Sequence, residues 1–284
     1  MPRTIPTMML LCIVLVRFAI AQTGESLPVS APLMTDAAGN TGKVAFSSVW
    51  RVICQSAGRI GTGSGFLHES AKMITAAHVV RGCKAANLVL VGASGQRVAV
   101  TDMRVDDDLD LAILTPASAI PSSALSLNLE DESPVGIQVI AWGFPGGYRG
   151  FSPLLSVGYL AGVDMVKRES GKVVRQIVVN AAFNGGNSGG PVVNVQDGTV
   201  IGVVSSKLAP LPSNIESALS ALEKQEAGFT YTAKKADGTE IEVSEGQVVA
   251  AVLQYLRSQT QLVIGYAVPV NDLREFLKKN GISP

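Results

Sequence analysis

Residues Asn184-Gly185-Gly186-Asn187-Ser188-Gly189-Gly190-Pro191 set one hydroxyl among four glycines. Glycine reaches backbone conformations closed to other residues, so such a loop can turn several N–H groups toward one point and keep side chains away. Two donors aimed together can stabilise the oxyanion of an acyl-transfer intermediate, with Ser188 as the nucleophile. A serine hydroxyl at neutral pH needs a base, and imidazole has the fitting pKa. The chain has two histidines, His68 and His78, and His78 closes the run Ile74-Thr75-Ala76-Ala77-His78. Asp110 lies in Leu109-Asp110-Leu111-Ala112-Ile113-Leu114, where apolar neighbours set it apart from the acidic turn Asp106–Asp108. A carboxylate leading into an apolar strand needs a partner for its charge. The far nitrogen of an imidazole is such a partner, and the carboxylate would fix its tautomer. Taken singly, each segment has a plainer reading: a glycine-rich turn, a structural histidine at a strand end, a solvated acidic turn.

Gly186-x-Ser188-x-Gly190 also fits the strand-to-helix nucleophile elbow of an α/β hydrolase, which requires its histidine after the serine. No histidine follows His78, so the chain order is His, Asp, Ser. The surrounding pattern is that of an all-β chain. Short β-type runs follow one another at Val49–Cys54, Gly65–His68, Lys72–Ala76, Asn87–Val91, Arg97–Val105 and Ala112–Thr115. After a Pro- and Ser-containing connection, Pro116–Ser126, a second set comes at Gln138–Trp142, Leu154–Ala161, Val173–Asn180, Pro191–Val195, Val200–Ser205 and Leu262–Val268. Turn-forming Gly, Asn, Asp and Ser separate most of them, the cadence of β-barrels. The expected division is an N-terminal barrel over about 44–120 and a C-terminal one over about 127–284. A final helix closes the chain: Asn271 is its expected cap, Leu273, Phe276 and Leu277 its apolar face, and Asn280-Gly281 its stop. Lys278 and Lys279 fall in its last turn, where the helix dipole favours positive charge.

One stretch, about 207–261, breaks this rhythm as a helix–hairpin–helix insertion. Ser213-x-x-Glu216 is a capping box before Ile215, Ala218, Leu219 and Leu222 at helical spacing, with Gly228 as a stop. Phe229–Val243 reads as a hairpin around Asp237-Gly238. Ser244-x-x-Gln247 is a second capping box, opening a helix with Val248, Val249, Val252, Tyr255 and Leu256.

The N-terminus reads as a secretory signal over residues 1–21: Arg3, the apolar run Met8–Val16, and the small-x-small site Ala19-Ile20-Ala21. The run is too short to span a bilayer. Residues 22–43, rich in Ser, Pro, Ala, Gly and Thr, read as a flexible leader. Signal removal takes Arg3 and Arg17 from 23 basic residues and no acid, leaving 21 against 23 acidic ones. That near-balance gives no electrostatic reason for nucleic acid or an anionic membrane as partner. Cys12 would leave with the signal, and the remaining pair, Cys54 and Cys83, would form a disulfide in an exported protein; two free buried thiols are the alternative. Two histidines and two cysteines make no recognisable metal set, and Gly61-x-Gly63-x-Gly65 has the wrong spacing for a dinucleotide site, so no cofactor is expected.

Three segments together, Thr75-Ala76-Ala77-His78, Asp110-Leu111-Ala112 and Gly186-Asn187-Ser188-Gly189-Gly190-Pro191, resemble the signature segments of trypsin-like serine proteases. Asn187 before the serine, Gly63-Ser64-Gly65-Phe66, Ala141-Trp142-Gly143-Phe144-Pro145 and Gly265-Tyr266-Ala267-Val268-Pro269 resemble the bacterial HtrA/DegP branch. The resemblance covers about residues 48–206 and 262–280. It implies two perpendicular six-stranded antiparallel barrels with a catalytic triad between them: His78 as base, Asp110 as its orienter, Ser188 as nucleophile. It further implies an oxyanion hole from the N–H groups of Gly186 and Ser188, and Ser205 as support for the aspartate. By the same likeness Ala182 and Ile264 would line the primary substrate pocket. An uncharged, partly filled pocket there implies cleavage after small or medium aliphatic residues.

Relatives of that branch carry one or more PDZ domains after the protease and often assemble as trimers. This chain ends at Pro284 without one, and no local feature decides its oligomeric state. Asn187 leaves the usual zymogen ion pair without its aspartate. The expected protein is a secreted or periplasmic serine endopeptidase acting on proteins or peptides. A protease-fold binding or scaffolding protein and an esterase-like hydrolase are the alternatives.

Overall fold

The computed structural model describes residues 39–56, 59–146, 148–168, 170–207, 213–225, 229–234, 240–259 and 263–284. The expected signal and most of the leader lie outside them, as do Gly228, Asp237-Gly238 and Leu262. The leader's last residues depart from expectation: helix α1 runs Gly39–Ser48. Gly, Asn, Thr and Ser are poor helix formers. Burial decides instead, because Ala45, Phe46 and Ser48 are buried and the Phe46 ring meets Trp142 edge-on at 5.3 Å.

The first barrel consists of β1 (Val49–Ser56), β2 (Arg59–Leu67), β3 (Met73–Thr75), β4 (Leu88–Val91), β5 (Arg97–Asp106) and β6 (Leu111–Pro116), closed in the order β1-β2-β3-β6-β5-β4. A single helical turn, α2 (Ala77–Val80), follows β3. The second barrel consists of β7 (Gln138–Gly143), β8 (Leu154–Lys167), β9 (Val173–Val179), β10 (Pro191–Asn194), β11 (Val200–Lys207) and β14 (Gly265–Pro269), closed as β10-β11-β14-β9-β8-β7. All pairings within both barrels are antiparallel. The two expected six-stranded barrels are present.

Three strands carry consecutive buried apolar residues because both of their faces are covered. In β6, Ala112 and Leu114 point into the first barrel while Leu111 and Ile113 join a separate core shared with the second. In β7, Val139 and Ala141 face the second barrel's interior while Ile140 and Trp142 join the shared core; Val192 and Val193 of β10 divide the same way. Closed barrels leave no unpaired edge, so side-chain packing between their outer faces joins the halves. The connection between them is tied to both: Leu125 N–H donates to Leu67 O at 2.8 Å, and Val200 N–H to Ser126 O at 2.9 Å.

Helix α5 (Val270–Lys279) seals the shared core with Leu273, Phe276 and Leu277. Asn271 is not its cap. Strand β14 stays paired as far as Pro269, opposite Gly202, so the helix starts directly off the strand with Pro269 in the cap position. The stop is as expected: Gly281 has φ 73° and donates to Lys278 O, and Ile282 N–H donates to Leu277 O at 3.0 Å.

The described part of the insertion holds α3 (Ser213–Glu223), the paired strands β12 (Thr230–Lys234) and β13 (Glu240–Ser244), and α4 (Glu245–Gln259). Its second capping box is reciprocal: Ser244 N–H donates to Gln247 Oε1 at 2.9 Å, and Gln247 N–H to Ser244 Oγ at 3.2 Å. The Ser213 and Glu216 side chains lie outside the described residues. No helix among the described residues is long and apolar enough to cross a membrane.

Candidate active site

Strand register brings His78 and Asp110 together. Thr75 of β3 pairs with Ala112 of β6, and the two strands are antiparallel. Three residues past Thr75 and two before Ala112 therefore lie beyond the same end of the sheet. There His78 Nδ1 lies 3.0 Å from both Asp110 oxygens, and the His78 backbone N–H donates to Oδ1 at 3.0 Å. Asp110 is 7% exposed and has φ 60°. A non-glycine residue in the left-handed region is rare, though aspartate is among those that tolerate it, and such outliers gather at functional sites. The turn that sets it is built by Asp106, whose Oδ1 accepts the Leu109 N–H at 3.0 Å.

Burial presses the Asp110 pKa upward and is the largest single influence. The His78 ring bond and charge, the Ser205 hydroxyl and the His78 backbone N–H together outweigh it, holding the carboxyl below its ordinary value. Asp110 is thus an anion whose oxygens are taken up by donors, and it directs the His78 ring so that Nε2 faces away from it.

Ser205 comes from a bulge. Val204 pairs with Ala267 and Ser206 with Tyr266, so Ser205 is the extra residue in β11. A bulge re-aims a side chain that a regular strand would send elsewhere. Here Ser205 Oγ donates to Asp110 Oδ2 at 2.5 Å, and the Ser205 carbonyl accepts from Ser188 Oγ at 3.0 Å. One residue of the second barrel therefore touches both the carboxylate that holds His78 and the hydroxyl of Ser188. The Ser188 hydroxyl is bonded to that carbonyl and not to His78.

The glycine-rich loop that carries Ser188 is clamped along its length. Gly189 N–H donates to Val204 O at 2.7 Å and Val204 N–H to Gly190 O at 2.8 Å. A peptide is planar and trans, so its N–H points opposite its carbonyl. The Gly185 carbonyl is held by Gly146 N–H, and the Asn187 carbonyl by Gly190 N–H at 2.9 Å. The N–H groups on the reverse of these two peptides are those of Gly186 and Ser188, and neither donates to an acceptor among the described residues. Gly186 has φ 96° and Gly189 φ 85°. A Cβ at Gly189 would stand 2.1 Å from Ser64 O, so glycine is required there for space as well as conformation.

Of the two expected pocket residues, Ala182 is half-buried, its carbonyl accepting from Ser156 Oγ at 3.0 Å, and Ile264 is 37% exposed. Pairing of Gly265 with Val179 puts both at one end of the β9–β14 pair. The large buried ring nearby is Phe183, 1% exposed, and a Cβ at Gly265 would lie 2.0 Å from its Cδ2. Sequence reasoning passed over Phe183, although an aromatic beside Ala182 and a glycine after Ile264 was the available signal. Cys54 and Cys83 form a disulfide, with Cα atoms 6.0 Å apart.

Two closed six-stranded barrels with an imidazole–carboxylate pair beside a glycine-bound serine define the chymotrypsin-like class. Residues 63–203 match the family model of the trypsin-like peptidase domain. The chain is 35% identical over 155 residues to serine protease HTRA4 of Homo sapiens, covering 52% of this chain and 30% of that one. It is 29% identical over 223 residues to a probable periplasmic serine endoprotease, DegP-like, of Rickettsia prowazekii, covering 78% and 42%. The crystal structure of the Rv3671c protease from M. tuberculosis in its active form shares the fold, with TM-score 0.59, 18% identity and 92% of each chain covered. This chain carries a trypsin-like peptidase domain and is a homologue of the HtrA/DegP serine proteases. It spans less than half the length of these two curated relatives.

Proposed function

We propose that this protein is a serine endopeptidase in which Ser188, His78 and Asp110 act as the triad. The observation that carries the reading is the imidazole held at 3.0 Å by both oxygens of a buried aspartate whose other donor also touches the serine. Rotation about the Ser188 Cα–Cβ bond moves its hydroxyl from the Ser205 carbonyl to His78 Nε2. His78 takes the proton as Oγ bonds to the peptide carbonyl carbon. The resulting oxyanion accepts from the N–H groups of Gly186 and Ser188. His78 then protonates the leaving nitrogen, the C–N bond breaks, and an acyl ester remains on Ser188. Water, deprotonated by His78, bonds to the acyl carbon, the ester bond to Ser188 Oγ breaks, and Oγ takes the proton back from His78 as the acid leaves. Asp110 holds the Nδ1–H tautomer and stabilises the imidazolium without itself taking a proton.

Cleavage after small or medium aliphatic residues is part of the proposal. Ala182 offers no counter-ion for a basic side chain, and the buried Phe183 ring occupies volume beside it. Export to the periplasm or beyond the cell is the proposed location, supported by the signal-like N-terminus, by the Cys54–Cys83 bridge and by the periplasmic designation of a relative. Proteins or peptides are the proposed substrates.

The test is fluorophosphonate labelling together with casein and peptide-library cleavage by wild type and Ser188→Ala. Labelling and cleavage by wild type only, with aliphatic preference at the cut, is the expected outcome. Labelling without peptide cleavage favours the esterase-like alternative, and neither favours a binding protein. A preference for Arg or Lys overturns the pocket assignment.

A further inference from the structure

Ser64 carries a fully buried hydroxyl that the mechanism above leaves unused. Ser64 is 0% exposed and belongs to β2 of the first barrel, yet it is bonded into the second. Its N–H donates to Ser188 O at 2.8 Å. Its Oγ donates to Gly186 O at 2.7 Å and accepts the Phe144 N–H at 2.9 Å. Its carbonyl accepts from Thr75 Oγ1 at 2.6 Å, which fixes the strand carrying these groups. Neighbouring glycines leave room for nothing else: a Cβ at Gly143 would stand 3.0 Å from Ser64 Oγ and 3.0 Å from Asn187 Cα.

The consequence falls on the peptide units of the nucleophile loop. Four successive carbonyls, Gly185 to Ser188, are each held, the first by Gly146 N–H, the second by Ser64 Oγ, the third by Gly190 N–H and the fourth by Ser64 N–H. Ser64 thus supplies two of the four. Through Phe144 it also ties down the segment from which Gly146 holds the first. A glycine-rich loop has little steric preference of its own, so fixed carbonyls are what determine where its N–H groups point. Removing the hydroxyl leaves the Gly186 carbonyl and the Phe144 N–H without their buried partner at once.

We propose that Ser64 is a positioning residue, whose hydroxyl locks the Gly186–Asn187 peptide and the Phe144–Gly146 segment so that the N–H groups of Gly186 and Ser188 converge on the developing oxyanion. The inference rests on the endopeptidase reading. Its test compares Ser64→Ala and the near-isosteric Ser64→Cys with wild type and with Ser48→Ala. Ser48 is equally buried, but its Oγ bonds Val44 O at 2.7 Å within α1 and Ser123 O in the connection between the barrels, with no bond to the Ser188 loop. Readouts are kcat and KM on a peptide substrate, inhibition by a peptide aldehyde that forms the tetrahedral adduct, and the thermal melt.

Losing a whole oxyanion donor costs about 100- to 1000-fold in kcat, so a misdirected one in Ser64→Ala should cost about 10- to 100-fold, with KM changed less than about twofold. Aldehyde affinity should fall in parallel, Ser64→Cys should fall between, and Ser48→Ala should keep wild-type kcat. Should Ser64→Ala fail to fold, Ser64→Cys carries the comparison. Folded Ser64 variants with wild-type kcat and aldehyde affinity overturn the proposal, as does an equal loss in Ser48→Ala. If wild type cleaves and labels while the Ser64 variants match it, only this inference falls. If wild type does neither, the endopeptidase reading falls and takes this one with it.

Discussion

His68 is the histidine the mechanism does not use, and its surroundings differ in kind from those of His78. It is 1% exposed, its Nδ1 accepts the Ser70 N–H at 3.2 Å, and its Nε2 is buried without a partner. Burial lowers its pKa below the ordinary 6.5, with the Glu69 charge pulling weakly the other way. The unfolded chain therefore binds a proton before the folded one does. The stability His68 contributes is complete above pH 6.5 and is lost as pH falls through the depressed folded value. Thermal melts of wild type and His68→Gln across pH 5–8 should diverge in slope, with the wild type losing stability faster on acidification. Parallel slopes would remove this account. Asp110 acts in a separate window. Its lowered pKa gives stability that is present above its ordinary 3.8 and lost on further acidification. Its burial was legible from apolar neighbours, whereas its left-handed backbone was not, because a turn's φ depends on Asp106 capping it from outside the motif.

Among the elements, the short span that carries His78 is the one most dependent on a covalent tie. Cys54 on β1 and Cys83 just after α2 are separated by 29 residues, and the loop they close contains His78. Closing such a loop restricts the unfolded chain by about 3–4 kcal/mol in the entropic account. Reduction, or Cys54→Ala with Cys83→Ala, should lower Tm by about 10 °C at the usual 2–4 °C per kcal/mol for a domain of this size. Calorimetry with and without reductant checks it, and an unchanged Tm would sink it. Element identities were largely readable because period-2 burial and capping residues are local. Two exceptions share one cause. Helix α1 forms where propensity is poor because Phe46 reaches Trp142, and α5 begins without its expected Asn271 cap because β14 stays paired through Pro269.

For the molecule as a whole, a core shared by the outer faces of both barrels holds the site together. Leu111, Trp142, Val193 and Phe276 meet in it, so residues from widely separated parts of the chain fix the distance between the Asp110 turn and the Ser188 loop. The insertion is attached differently. Strands β11 and β14 remain paired out to Lys207 and Gly265, so the excursion leaves and re-enters at adjacent points of one ladder. Replacing residues 209–262 with an Asn-Gly turn should leave both barrels folded and Ser188 reactive toward a fluorophosphonate. Loss of the cooperative melt in that variant would show that the insertion is part of the fold's support.

Residue type and spacing pointed to an all-β chain and to His78, Asp110 and Ser188 as candidate groups, and the likeness to trypsin-like serine proteases implied the two six-stranded barrels that the structure contains. The His78–Asp110 pairing and the link through Ser205 to Ser188 belong to tertiary structure alone. They depend on β3–β6 register, on a bulge that turns Ser205 toward both Asp110 and Ser188, and on a serine from the first barrel holding carbonyls of the second. Hydrogen bonds between residues far apart in the chain leave no local pattern, so only the closed barrels reveal them.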